Sequence, residues 1–174
     1  IVFTEGDNYR ILKAAEILIN NGVAKPILLG SKEKMAAIIE EYQLELQEAE
    51  FIDVTTDSAG REEYAAQMYE FRKRRGWTMG ECRSKIKSRE YYGNMMLRDG
   101  AADALISGLT VKYPTALRPI LRIIGMEEGM RKAAGMYILL SKRGPMFFAD
   151  TTINLDPTVE DLVQMVLNVA DTVK

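Results

Sequence analysis

Short runs of apolar residues alternate along this chain with longer stretches whose apolar positions recur at three- and four-residue spacing. "IVF" at the start is continuously apolar. The segment that follows carries Ile11, Ala15 and Leu18, and Leu12, Ala15 and Ile19, at helical spacing behind a capping residue at Asp7 or Asn8, and stops at "NNG". "KPILLG" is a second apolar run, and Ser31 opens a helix to about Tyr42 with Met35, Ile38 and Ile39 on one side. "FIDV" makes a third strand. Apolar strands without polar alternation, separated by amphipathic helices, are what a parallel sheet covered on both faces requires.

The middle of the chain reads as helical. One helix runs from Arg61 to about Arg75 and ends at Gly76. "TMGE" at 78–81 has the spacing of a capping box and opens a second helix, expected to continue to about Arg98. "ADALISG" is a fourth buried strand. Thr115 is read as the cap of a helix to Ile124, which puts Pro119 in the first turn, and "IGMEEG" as the start of a further short helix. Beyond Gly135 the pattern changes, because "MYILLSK" and "MFFADTTINL" read as two strands across a tight connection, an antiparallel feature. A last helix begins at Pro157, Thr158 and Asp161. We expect a first α/β lobe over 1–130 and the beginning of a second lobe over 131–174.

The composition narrows the function classes. Among 174 residues, 23 basic and 25 acidic side chains leave a formal charge of −2, so no single-sign surface suited to nucleic acid or to a membrane surface is expected. There is no histidine, which removes Ser-His, Cys-His and His-metal chemistry. A single cysteine, Cys82, forms no internal disulfide; it is expected to be a structural thiol, and the chain to be soluble and cytoplasmic. "IVF" reads as a strand already under way and the last helix ends with nothing to pack on it, as expected of a piece of a longer polypeptide.

Candidate chemistry sits in "ISGLTVKYPTALRPIL". A loop after a parallel strand lies where open α/β sheets place their ligands. Ser107, Gly108 and Thr110 offer small hydroxyls and close backbone approach. If Thr115 is the cap, the amides of Ala116, Leu117 and Arg118 face that loop, and Arg118 adds a fork of donors suited to phosphate. The common alternative is a Ser-Gly turn with a surface arginine. "RKRRG" at 72–76 reads as a solvated helix end. "SREYYGNMM" offers Tyr and Asn, with Met95 and Met96 in the core. Asp150 is expected to organise a turn at a strand end, and Glu5 and Asp7 to hold Arg10 and the first βα turn.

The series "EGDNYRILKAAEIL", "AKPILLG", "ADALISGLT", "LRPILRIIG" and "FFADTTIN" followed by "DPTVEDL" resembles the first half of the phosphotransacetylase (phosphate acetyl/butyryltransferase) family. The wording of "REYYGNMM", "SGLTVKYPTALRP" and "KRGPMFFADTTINLDPT" is most similar to the phosphotransacetylase-like C-terminal domain of bacterial NADP-dependent malic enzymes. The resemblance implies a three-layer α/β/α sandwich with a mostly parallel sheet, related to the isocitrate and isopropylmalate dehydrogenases, with a cleft for CoA and acetyl phosphate. It implies phosphate-binding roles for the arginine of "LRP", here Arg118, and for the arginine near the end of the "RKRRG" helix, here Arg72. Ser107, Gly108 and Thr110 match the family's cleft loop. The family's carboxyl-terminal Ser-Arg pair and catalytic Asp match no segment here, and "VKYPTAL" replaces its Ser/Thr-rich stretch.

Three functions follow as expectations. The first is a regulatory domain that binds acetyl-CoA or acetyl phosphate and supports a homo-oligomer, with NADP and a divalent metal belonging to upstream malic-enzyme domains and no cofactor to this segment. The second is part of a working phosphate acetyltransferase. The third is a domain that only oligomerises its parent.

Overall fold

A computed structural model of the chain describes residues 1–126, 128–130, 132–150 and 152–173. They form two compact units, Ile1–Gly125 and Met126–Lys174.

In the first unit, β1 (Val2–Phe3), β2 (Ile27–Leu29), β3 (Glu50–Ile52) and β4 (Leu105–Ile106) build one parallel sheet in the order β3-β2-β1-β4. The direction in which strands are added therefore reverses at β1, with β2 on one side and β4 on the other. Helices α1 (Tyr9–Asn20) and α2 (Lys32–Tyr42) pack Leu12, Ala15 and Met35 against Phe3 and Leu28. Helices α3 (Ser58–Arg72), α4 (Met79–Lys85) and α5 (Arg89–Asp99) cover the other face, where Met68, Ile86 and Met95 meet Val2 and Leu29. Alternate residues of β1, β2 and β3 thus go to opposite apolar layers, which is why those strands read as continuously apolar. The fourth strand, expected to be buried, is not: β4 ends the strand order, and only Leu105 packs inward while Ile106 is 48% exposed.

The local signals hold the helix ends. Asn8 and Ser31 cap α1 and α2 by accepting from Arg10 N and Lys34 N, and Thr78 and Glu81 complete the expected capping box. The helix expected to run from there to Arg98 is instead two. Ser88 is extended (φ −79°, ψ 135°) and caps α5, so the chain breaks between Ile86 and Ser88 and turns Tyr91, Tyr92 and Asn94 inward. Met95 and Met96 are buried as expected. The "KRR" that follows α3 is a single 3₁₀ turn ending at left-handed Gly76.

Helix α6 (Tyr113–Ile123) begins earlier than expected. Its cap is Lys112, whose carbonyl accepts from Thr115 N at 2.8 Å and Ala116 N at 3.3 Å. Thr115 is therefore the third helical residue and not the cap. Pro114, with no N–H to satisfy, suits that first turn. Pro119 falls in the helix interior with its ring buried. The carbonyl it leaves without a helical donor belongs to Thr115, which is exposed to water.

In the second unit, β5 (Met136–Ser141) and β6 (Gly144–Ala149) form an antiparallel hairpin. Asp150 organises the turn after β6, accepting from the amides of Ile153 and Asn154. Thr158 and Asp161 exchange hydrogen bonds at the start of α7 (Val159–Val173). The described residues of 125–130 form no helix, and Glu127 lies outside them. Among the described residues, no helix is long and apolar enough to cross a membrane.

Candidate functional site at the carboxyl edge of the sheet

In a doubly wound sheet the crevice for a ligand opens at the carboxyl ends of the strands where winding reverses. Here that point lies between the loop after β1 and the loop after β4. A carboxylate already fills it. Glu5 Oε2 accepts from the amides of Gly108 (3.0 Å) and Leu109 (2.7 Å), and Oε1 from the amide of Thr110 (2.6 Å) and from its hydroxyl. Three consecutive amides aimed at one point make an anion nest. Gly108 supplies the turn that aims them, at φ +102°, a conformation that costs a residue with a Cβ about 1–2 kcal/mol.

Burial tends to raise the pKa of Glu5. The bonds from the Thr110 hydroxyl and the three amides outweigh it and hold the carboxyl below its ordinary value. Beside it, the Thr4 hydroxyl donates to Ser107 Oγ at 2.7 Å. Both expected hydroxyls of the loop are thus engaged inward.

The expectation that Glu5 and Asp7 hold Arg10 is not met. Asp7 pairs in a two-pronged contact with Arg89, at 2.6 and 2.8 Å, from the start of α5. Those bonds pull the Asp7 carboxyl below its ordinary value against the effect of burial.

The remaining candidates separate. Arg118 is exposed on α6, and its side chain has no hydrogen bond or ion pair among the described residues. Thr115 is exposed within the same helix. The amide of Ala116 is bound to Lys112, and those of Leu117 and Arg118 lie inside the helix, so the free amides expected there are absent. Arg72 ends α3, and helices that follow parallel strands run back toward the amino edge, so it does not meet the Ser107–Thr110 loop.

Arg72 is not the solvated residue that "RKRRG" suggested. It is 8% exposed and its Nε has no partner. Its guanidinium lies 5.5 Å from the Trp77 ring centre and 5.9 Å from that of Phe71. Burial first, then repulsion from Arg75, Arg122 and Arg98, weakens its hold on its proton, although a guanidinium stays charged at neutral pH. Arg122 donates to Tyr91 Oη (2.8 Å), Arg98 donates to the Ile123 carbonyl (2.8 Å), and Lys85 approaches Trp77 at 5.2 Å. None of these five cations forms an ion pair among the described residues. Sequence reasoning missed this cluster because its members come from four helices, α3, α4, α5 and α6, and from the 3₁₀ turn after α3.

Among the described residues, no group of His, Cys, Asp and Glu is arranged to hold a metal ion. Cys82 is buried, and burial pushes its thiol pKa up, as a structural thiol requires.

The family described as phosphate acetyl/butaryl transferase matches residues 1–174. The chain belongs to this family. The phosphate acetyltransferase of Clostridium acetobutylicum is 31% identical over 180 residues, a match that takes in all of this chain and 54% of that protein. The NADP-dependent malic enzyme of Salmonella typhimurium is 34% identical over 177 residues, all of this chain and 23% of the relative. Two solved structures share the fold. A phosphotransacetylase from Streptococcus pyogenes superposes with a TM-score of 0.88 at 28% identity, over 99% of this chain and 52% of that one. EutD phosphotransacetylase from Staphylococcus aureus gives 0.87 at 26% identity, over 98% and 51%. The chain thus spans about half the length of these phosphotransacetylases, and its α/β architecture is theirs.

Proposed function

We propose that this phosphotransacetylase-like chain binds acetyl-CoA or acetyl phosphate as the regulatory region of a malic-enzyme polypeptide. The observation that carries the reading is the buried Arg72 guanidinium, unpartnered at Nε and surrounded by further cations. A folded chain keeps such a surplus of positive charge where a polyanion is to be received. CoA is elongated, with phosphates at one end and the thiol at the other. Helix α6 runs for about 16 Å from the carboxyl-edge loop toward Arg122, and Arg118 stands one turn before Arg122 on the same face. In this reading the phosphates rest on the Arg72 and Arg122 cluster, Arg118 meets the mid-section, and the acyl end reaches the loop of Ser107, Gly108 and Thr110 beside Thr115.

Regulation then requires the ligand to favour one arrangement of an assembly over another. Exposed apolar residues of the second unit support oligomerisation: Ile138, Leu140, Val166 and Leu167 are each more than half exposed. NADP and a divalent metal belong to upstream regions of such a parent, and a cytoplasmic setting fits the lone thiol. Calorimetry of acetyl-CoA on the intact polypeptide tests the site. Arg118→Ala and Arg72→Ala are each expected to weaken binding at least tenfold, and unchanged affinity in both would sink the assignment.

A second reading is favoured by the several relatives named phosphate acetyltransferase at 31–34% identity. The chain is then part of an enzyme that moves acetyl between CoA and phosphate, its residues orienting both substrates. Acetyl-CoA formation from acetyl phosphate and CoA by the whole parent decides between the two. If the chain only oligomerises its parent, acetyl-CoA leaves the melting temperature unchanged.

A further inference from the structure

We propose that Thr4 and Glu5 form a clasp that sets the shape of the 107–110 loop, and that Glu5 is a positioning residue for the ligand this loop receives. The second half of the statement rests on the acyl-ligand reading above.

Four consecutive loop residues are tied to two consecutive residues at the end of β1, across 103 to 105 positions of chain. Ser107 accepts from Thr4, while Gly108, Leu109 and Thr110 all donate to Glu5. Glu5 is 7% exposed and belongs to no ion pair among the described residues. Its charge is balanced by loop dipoles alone, so charge and loop shape are mutually dependent.

The consequence for recognition runs against the sequence expectation. With the amides and the Thr110 hydroxyl turned onto Glu5, the loop cannot offer those donors to a phosphate. What faces outward is the other side of the loop, including the side chain of Leu109, which is 42% exposed. Glu5 governs that surface without touching a ligand on it, as a supporting residue governs the geometry of the group it holds. Without its carboxylate, three amides lose the acceptor that fixes them, and as Gly108, Leu109 and Thr110 are exposed, water takes its place and no longer holds the loop in one shape.

Backbone amide exchange followed by nuclear magnetic resonance tests the clasp, alongside calorimetry with acetyl-CoA. In Glu5→Ala the amides of Gly108, Leu109 and Thr110 are expected to exchange at least tenfold faster, while that of Ile27 in the β1–β2 ladder is unchanged. Acetate has the CH₂–COO⁻ framework that this substitution removes. It is expected to restore protection to the three amides and, in parallel, to recover the acetyl-CoA affinity lost in the variant, whereas chloride does neither. Glu5→Gln, which keeps shape and one acceptor oxygen, should fall between the two and serves if the alanine variant does not fold.

Unaltered exchange in the substituted chain overturns the clasp. Faster exchange with unchanged acetyl-CoA affinity overturns the positioning role. Failure of the unsubstituted chain to bind acetyl-CoA overturns the acyl-ligand reading, and with it the positioning role, while the exchange rates still decide the clasp.

Discussion

Replacing Arg72 by methionine separates a residue kept for a ligand from one kept for the fold. Methionine retains an unbranched stem of similar reach and removes the charge. Two contributions are lost, the contacts with Trp77 at 5.5 Å and Phe71 at 5.9 Å, near the outer limit of cation–π attraction and about 0.5–1 kcal/mol each. Against them stands the buried Nε without a partner, a cost of about 1–3 kcal/mol, together with repulsion from Arg75, Arg98 and Arg122. The balance favours methionine by about 1 kcal/mol, which at this chain length raises the melting temperature by about 2–4 °C. Acetyl-CoA binding is expected to fall at least tenfold in the same variant, a trade of function against stability. Trp77 is the sole tryptophan and lies in the first unit, so its fluorescence through a urea titration reports that unit's midpoint at constant slope. A ligand-free variant destabilised by more than about 1 kcal/mol would refute this reasoning and make the guanidinium a structural strut.

Other perturbations probe the frame around the site. A Cβ on Gly6 would stand 2.9 Å from Leu28 Cβ and 3.0 Å from backbone atoms of Leu28 and Leu29; Gly6→Ala is therefore expected to cost about 1–3 kcal/mol in urea denaturation, whereas Gly80→Ala, with nothing nearer than 3.9 Å, should cost nothing. Asp7 has its pKa depressed chiefly by Arg89, so its contribution is full above the ordinary aspartate value and disappears as pH falls through its own lower value. The stability gap between the native chain and Asp7→Asn should then be constant near neutrality and close in acid below about pH 4, and a gap that widens in acid contradicts the pairing. Cys82, with no exposed surface, should react with a thiol reagent only as fast as the chain opens, its rate rising with added urea.

The sheet and its order of elements were legible because burial on both faces leaves an unmistakable record, an apolar run with no polar alternation. Caps with short side-chain oxygens, at Asn8, Ser31 and Thr78, were legible for the same local reason. The start of α6 was not, because Thr115 looks like a better cap than Lys112. The helix is started instead by a main-chain carbonyl and by Pro114, neither of which needs a distinctive side chain at the boundary. Ser88 was overlooked because it sits inside an otherwise helical run. That the amides of the loop after β4 turn onto Glu5 was not legible. Glu5 had Arg10 five residues away as an obvious partner, and only the fold brings the loop more than a hundred residues onward within reach. The buried Arg72 was hidden likewise, since "RKRRG" carries no sign that its first member faces inward.

The β5–β6 hairpin has a consequence of its own. Successive strand residues point to opposite sides, yet Tyr137, Ile138, Leu139 and Leu140 in succession, and Met146, Phe147 and Phe148 across from them, all remain 38% or more uncovered. Laying one body against such a ribbon would dry one side and leave the reverse wet. A lasting shelter has to grip it from above and below, like a tongue in a slot, and a change that loosens either jaw should free both strands together.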